Sequence, residues 1–353
     1  MKKVISIVLS SVLALGVLAG CAKTPTTPTQ TPAETPAETP VETPAEAEGK
    51  VTKLGLGIVT SIAKSKDLAE GKATAQVDTV MAAVGFDKDG KIVSISIDTA
   101  QDKVGFDDKM ALTSDTKVAG KTKKELGNDY GMKTASKIGK EWFEQIAEFE
   151  KWVVGKTAAE VAAMKLTETV PAEEDLKTLV TIKVADYIKA IEKASKNAIA
   201  VKGGEKVGLG AVVSTAKSKS AEGENGAVAQ VDTTIVATVL DKAGKVAGSF
   251  IDVAQTKVAF DKDGKVTTDK TAEVKSKVEL GDAYGMKGAS KIGKEWFEQA
   301  KALQEWMVGK TPAEVTGMKL AEGKADVEEL KTSVTVTVGG YLEAFKEAAA
   351  NVK

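Results

Sequence analysis

Apolar residues recur along most of the chain at two spacings, and each spacing predicts a kind of element. Gln76 to Phe86 is rich in β-branched and small apolar residues, Asp87-Lys88-Asp89-Gly90-Lys91 breaks the run with turn-forming residues, and Ile92 to Asp98 resumes it. In the second run Val93, Ile95 and Ile97 fall on one face and Ser94, Ser96 and Asp98 on the other, the alternation of a half-buried strand. Together these segments predict a β-hairpin. Further on, Ile138, Trp142, Ile146, Phe149 and Val153 form one apolar stripe of a helix. A short helical Ala158 to Met164, a strand-like Leu179 to Val184 and a terminal helix near Asp186 to Lys196 complete the unit. Strands first and helices later predict an α+β fold, an antiparallel sheet with helices added.

The whole pattern is written twice. Tyr130-Gly131-Met132-Lys133 recurs 154 positions on as Tyr284-Gly285-Met286-Lys287, and Ser136 to Gln145 recurs residue for residue as Ser290 to Gln299. The same offset relates Ala75 to Thr79 with Ala229 to Thr233, Asp98 with Asp252 and Lys103 with Lys257. Near the start, Lys53 to Gly57 matches Lys206 to Gly210 at an offset of 153, so a single-residue insertion lies between. The second hairpin turns at Asp241-Lys242-Ala243-Gly244-Lys245, and the second helical stripe is Ile292, Trp296, Ala300, Leu303 and Met307. Trp142 and Trp296 read as core anchors. The repetition predicts two tandem modules, 51–201 and 202–353, each of a size that can bury its own core. Lys202-Gly203-Gly204 reads as a flexible joint, so independent folding of the second module is expected.

Before the repeats, Lys2 and Lys3 precede an apolar stretch from Val4 to Leu18, too short and wrongly flanked for a spanning helix but suited to a signal peptide at 1–20. Leu18-Ala19-Gly20-Cys21 resembles the bacterial lipobox, and Cys21 is the chain's single cysteine. The resemblance implies lipid attachment at Cys21 and an extracytoplasmic, membrane-anchored protein. Residues 21–50 are built mainly from Thr, Pro, Glu and Ala, a composition that predicts a semi-rigid linker.

Composition then removes whole classes of chemistry. The chain has no histidine, and all 49 of its basic residues are lysines. No imidazole is available for a triad, no His/Cys cluster for a metal, and no guanidinium for bidentate phosphate recognition. A net charge of −1 with lysines dispersed among acids gives no nucleic-acid footprint. Gly155-Lys156-Thr157 and Gly309-Lys310-Thr311 lack the glycine a phosphate loop carries five residues earlier and read as helix ends. Asp87 to Gly90 and Asp261 to Gly264 lack the first ligand of a calcium loop and read as turns. Gly55-Leu56-Gly57 and Gly208-Leu209-Gly210 lack the third glycine of a dinucleotide fingerprint. Asp98 and Asp252 show no partner constellation, so no catalytic residue is identified.

A strand with Val-Asp-Thr, a turn with Asp-Gly-Lys, a second strand of the Ile-Val-Ser-Ile type, helices, and a Thr-bearing segment before a terminal helix: this order resembles the FMN-binding domain family. The resemblance covers most of each repeat. It implies FMN as cofactor, membrane redox proteins as partners, and a flavin-linked extracellular electron carrier rather than a catalyst. The family's Ser-Gly-Ala-Thr hallmark, whose final Thr takes FMN as a phosphoester, corresponds to Thr178-Leu179-Val180-Thr181 and Thr332-Ser333-Val334-Thr335. The resemblance thus makes Thr181 and Thr335 the cofactor-binding positions. Larger residues replace Gly and Ala in both copies and would crowd a phosphate, which argues against covalent attachment. The alternating Val180, Ile182, Val184 and Val334, Val336, Val338 also fit ordinary strands, and with them a non-redox ligand-binding or structural lipoprotein.

Overall fold

The computed structural model describes residues 50–352. Cys21, the signal peptide at 1–20 and nearly all of the 21–50 linker lie outside the described residues. The first copy runs through β1 (Val51–Ser61), β2 (Lys66–Ala69), β3 (Lys72–Phe86), β4 (Ile92–Phe106), α1 (Lys123–Leu126), α2 (Trp142–Val153), α3 (Ala158–Ala162), β5 (Leu166–Thr167), β6 (Val170–Pro171) and α4 (Ala185–Lys196). The second follows with β7 (Ile199–Ser214), β8 (Val228–Asp241), β9 (Val246–Ala259), α5 (Lys277–Leu280), α6 (Trp296–Met307), α7 (Pro312–Thr316), β10 (Leu320–Ala321), β11 (Lys324–Ala325) and α8 (Gly339–Ala350). The protein is α+β, an antiparallel sheet with helices.

Both copies build a single seven-stranded sheet. Across it β4, β3, β1, β7, β8 and β9 are neighbours, all antiparallel, and β2 pairs with the start of β3. The join is β1 against β7, with Val51 opposite Gly204 and Leu54 opposite Ile199. The outer strands reach back across the join: the Val207 amide donates to Ser94 Oγ of β4 at 3.0 Å.

This arrangement corrects the expectation of two separately cored modules. The inner face of the sheet buries Leu54, Leu56, Met81 and Phe106 of the first copy together with Val207, Leu209, Ile235 and Phe260 of the second. The Phe106 and Phe260 rings meet at 5.3 Å between centroids. Only the outer faces are private, one covered by α2 and α4, the other by α6 and α8. The physical reason lies in the hairpins. From Val80 to Phe86 every residue of β3 is buried, so both faces need covering, and the helices of one copy can cover only one. The expected joint, Lys202-Gly203-Gly204, lies inside β7.

The expected helices are present, but α2 and α6 begin at Trp142 and Trp296 rather than one turn earlier at Ile138 and Ile292. Glu141 ends the preceding loop by capping: its backbone amide is bound by Glu144 in a capping box. The strands expected at Leu179 to Val184 and Val334 to Val338 are absent as well. Val180 and Val184 are buried as predicted, but the backbone between them has no strand to pair with. Its amides bond instead to the Gln145 side chain, from Thr181, and to the Leu176 and Thr169 carbonyls, from Val180 and Val184.

Gly55 and Gly57 have a packing role. A Cβ on either would overlap the backbone carbonyls of Ala194 and Ala190, so α4 lies directly on β1. Gly208 and Gly210 do the same for α8, at Ala348 and Ala344.

Candidate functional site

The most chemically featured concavity opens on the outer face of the first copy, a cleft of about 610 Å³ among β1, β3, β4, the start of α2 and the start of α4. Its floor is Trp142, held by burial and by a hydrogen bond from Nε1 to the Tyr187 hydroxyl at 2.9 Å. The two rings meet edge-on, 6.1 Å between centroids. Burial pushes the Tyr187 phenol up to about 12, so it stays a neutral partner.

Over this floor stands Lys123, with Nζ 4.7 Å from the Tyr130 ring centroid and 5.3 Å from that of Trp142. The cap of α1 fixes Lys123: Thr122 Oγ1 accepts the Glu125 amide and Glu125 returns the bond to the Thr122 amide. Burial lowers the ammonium to about 8, although the Asp78 charge opposes the shift. A polar wall faces it. Tyr130 donates to Gln101 Oε1, and Gln101 and Gln76 both donate to Asp78 Oδ1, while Lys64 pairs with Asp78 Oδ2 at 2.7 Å. Burial alone would raise Asp78, but these donors hold it below the ordinary aspartate value.

The second copy repeats this constellation. Trp296 Nε1 donates to the Tyr341 hydroxyl at 2.8 Å, Lys277 sits 4.6 Å from Tyr284 and 5.2 Å from Trp296, and Lys217 pairs with Asp232 at 2.8 Å.

The duplicated Ser136 to Gln145 block is the frame of the site. Glu141, 2% exposed, accepts the amides of Met132 and Lys133 and so ties the loop below Tyr130 to the start of α2. Gln145 is fully buried: Nε2 donates to Ser136 Oγ and the Lys140 carbonyl, and Oε1 accepts both the amide and the hydroxyl of Thr181. Gln299 holds Thr335 in the same way. Thr181 therefore lines the cleft, with its hydroxyl hydrogen bonded inside the protein. Cys21 lies outside the described residues.

Asp98 and Asp252 are braces. Asp98 Oδ1 accepts the amides of Thr99 and Lys124, and Asp252 Oδ1 those of Val253 and Val278, pinning α1 and α5 to the sheet. Burial raises both carboxyls to about 6. Asp87 to Gly90 and Asp261 to Gly264 are turns, as expected, in which Asp87 and Asp261 Oδ1 each accept two backbone amides. Among the described residues no group of three or more Asp, Glu, Cys or His is placed to hold a metal ion. No helix among them is long and apolar enough to cross a membrane.

Sequence patterning did not mark Lys123, Asp78, Gln101 or Tyr130 as site residues. The available signal was their retention in both copies as Lys277, Asp232, Gln255 and Tyr284.

No protein-family model matches the chain, and no solved structure matches it. Over 99 residues it is 34% identical to a protein described as chlorophenol reductase from Desulfitobacterium hafniense. That stretch is 24% of this chain and 29% of the other protein, so the chain spans under a third of its relative.

Proposed function

We propose that this is a lipid-anchored surface protein whose FMN-binding-like halves hold a flavin mononucleotide or a similar aromatic anion in the Trp142–Tyr130–Lys123 cleft, as a flavin-linked electron carrier. One observation carries the reading: an aromatic floor, a lysine caged by two rings, and the start of α4 converge on one cleft, and the caged lysine with its floor recurs in the second copy. The first-turn amides of α4 have no side-chain cap, which leaves them available to an anionic group. The volume lies within the usual range for small-ligand sites, about 300–1,000 Å³. The partial likeness to a protein named a reductase supports the redox aspect for that stretch alone. The anchor at Cys21 and the extracytoplasmic location rest on the lipobox resemblance.

The residues fit a noncovalent flavin better than a covalent one. The Thr181 hydroxyl donates to Gln145 Oε1, and an esterified oxygen has no proton to donate, so a phosphoester there would break the bond that fixes the segment. When bound, the flavin would supply the electron chemistry, while Lys123 and the α4 amides would hold its phosphate side and Tyr130 would border its ring.

Titration of the purified full-length chain with FMN, followed by flavin fluorescence, tests the reading. Saturable quenching that weakens in Trp142→Ala and Lys123→Gln is expected, with no flavin mass on Thr181 or Thr335 after denaturation. A chain that takes up no FMN overturns the flavin assignment. The engaged state of Thr181 and Thr335 favours one second reading, a ligand-binding lipoprotein without redox chemistry, and that outcome would leave it standing.

A further inference from the structure

A further cavity, of about 390 Å³, lies where β9, α5 and α6 of the second copy meet the connection from α4 into β7. Ile199, Phe250, Val278, Phe297 and Val308 line it, and Val308 is 49% exposed. Most polar side chains in the lining are already engaged. Asn197 exchanges two hydrogen bonds with the Leu56 backbone, and Ser249 donates its hydroxyl to the Ala237 carbonyl. Gln304 differs. Its Oε1 accepts the Ile251 amide at 2.6 Å, while its Nε2 has no partner among the described residues, which leaves one amide donor in the lining. The charged residues of the lining, Lys301 and Glu305, stand 3.8 Å apart and offset each other.

The matching positions of the first copy, 154 residues back, line a cavity of about 430 Å³ with the opposite character. There Lys124 stands for Val278, Glu150 for Gln304 and Ser96 for Phe250. Lys124 Nζ donates to Glu150 at 2.7 Å and to Ser96 at 3.2 Å, and Asp98, Glu125 and Glu347 share the lining. Glu150 Oε1 accepts the Ile97 amide at 2.6 Å, just as Gln304 Oε1 accepts that of Ile251. The brace to the sheet is therefore common to both cavities. What differs is that one presents an ion pair and the other apolar walls with a free donor. An ion entering the apolar cavity would leave water for walls that hold no unpaired counter-charge, whereas a ring would exchange water for Phe250 and Phe297.

We propose that the cavity beside α6 binds a small uncharged aromatic molecule carrying one hydrogen-bond acceptor, its rings against Phe250 and Phe297 and its acceptor on Gln304 Nε2. A cavity of about 150 Å³ holds a benzene ring. The volume here therefore suits two fused rings with a substituent. The proposal is independent of the flavin reading, which concerns the cleft over Trp142.

Fluorescence titration of the purified full-length chain tests it with prodan, an uncharged naphthyl ketone whose emission moves to the blue in apolar surroundings. 2-Dimethylaminonaphthalene, the same rings without the ketone, is the companion dye. Saturable, blue-shifted binding of prodan is expected. Val278→Lys combined with Gln304→Glu writes the ion pair of Lys124 and Glu150 into this cavity, an arrangement the fold already holds in the other copy, and should abolish that binding. Gln304→Glu alone keeps the acceptor for the Ile251 amide and removes the free donor. It should weaken prodan about tenfold more than it weakens the ketone-free dye, the equivalent of one hydrogen bond, and it decides the matter if the double variant does not fold. Excess octanoate should leave prodan in place. Absence of saturable binding, an affinity unchanged in the double variant, or equal loss of both dyes in Gln304→Glu overturns the proposal. Displacement by octanoate, or a chain that dimerises and loses the dye as its concentration rises, gives the cavity to an acyl chain or to a second copy and overturns it as well.

Discussion

Gly57 and Gly210 show how one hydrogen atom in place of a side chain can set a fold. Each lets a helix backbone lie against a strand, and a methyl group there must push α4 or α8 outward. Gly57→Ala is expected to destabilise the protein by about 1–3 kcal/mol, measured by urea unfolding, with the larger loss if α4 separates from β1. These glycines are conspicuous in the sequence, but their role is not legible there, because the partner is a helix more than a hundred residues away. Asp98 and Asp252 make a second residue-scale case. Each has a folded pKa of about 6, raised by burial above its unfolded value near 3.8. The folded state therefore binds protons more tightly than the unfolded state between those values, and these groups' contribution to stability falls as pH rises through the window from about 4 to 6. Asp98→Asn keeps an oxygen acceptor for the Thr99 and Lys124 amides without the buried charge. Thermal melts from pH 4 to 7 should show that variant's stability less dependent on pH, by on the order of 2–3 kcal/mol across the window. A wild-type-like slope would show that Asp98 does not titrate in this range.

At the scale of elements, the hairpins and terminal helices follow from local pattern, because turn residues and apolar periodicity act over neighbouring positions. The segments before α4 and α8 do not. Their apolar residues alternate as in strands, yet pairing is limited to a single bridge, Thr337 with Lys324 of β11, and to one amide bond each, Val184 to the Thr169 carbonyl and Val338 to that of Gly323, while Gln145 and Gln299 supply the acceptor that a ladder would otherwise provide. Gln145→Leu removes that acceptor from a fully buried site while keeping its volume, and leaves the Thr181 amide and hydroxyl without it. A loss of about 1–3 kcal/mol is expected, together with weaker ligand binding in the first cleft only, checked by unfolding and FMN titration on the same variant. The helix start at Trp142 rather than Ile138 has a similar origin. Glu141 caps the helix and binds the Met132–Lys133 loop at once, a double role that a periodicity reading cannot detect.

For the whole molecule, the shared inner core means that the halves should not melt separately. Trp296→Ala, expected to cost about 3–5 kcal/mol, should lower a single transition that reports on both copies. Chains cut between α4 and β7 should fold fully only when the two pieces are mixed, seen as recovery of near-ultraviolet circular dichroism. A fragment 199–353 that folds alone as a monomer, with native-like stability, would contradict the shared core. By itself the sequence determined the α+β class, the duplication, the hairpins, the amphipathic helices and the absence of imidazole and guanidinium chemistry, since all of these are matters of composition or of spacing within a few residues. Only the tertiary structure decided that the copies join through β1 and β7, and that Lys123, Tyr130, Trp142 and Thr181 surround one cleft. The reason is physical. Periodicity shows that a face is buried but not what covers it, and here each copy's second apolar face is covered by the other copy.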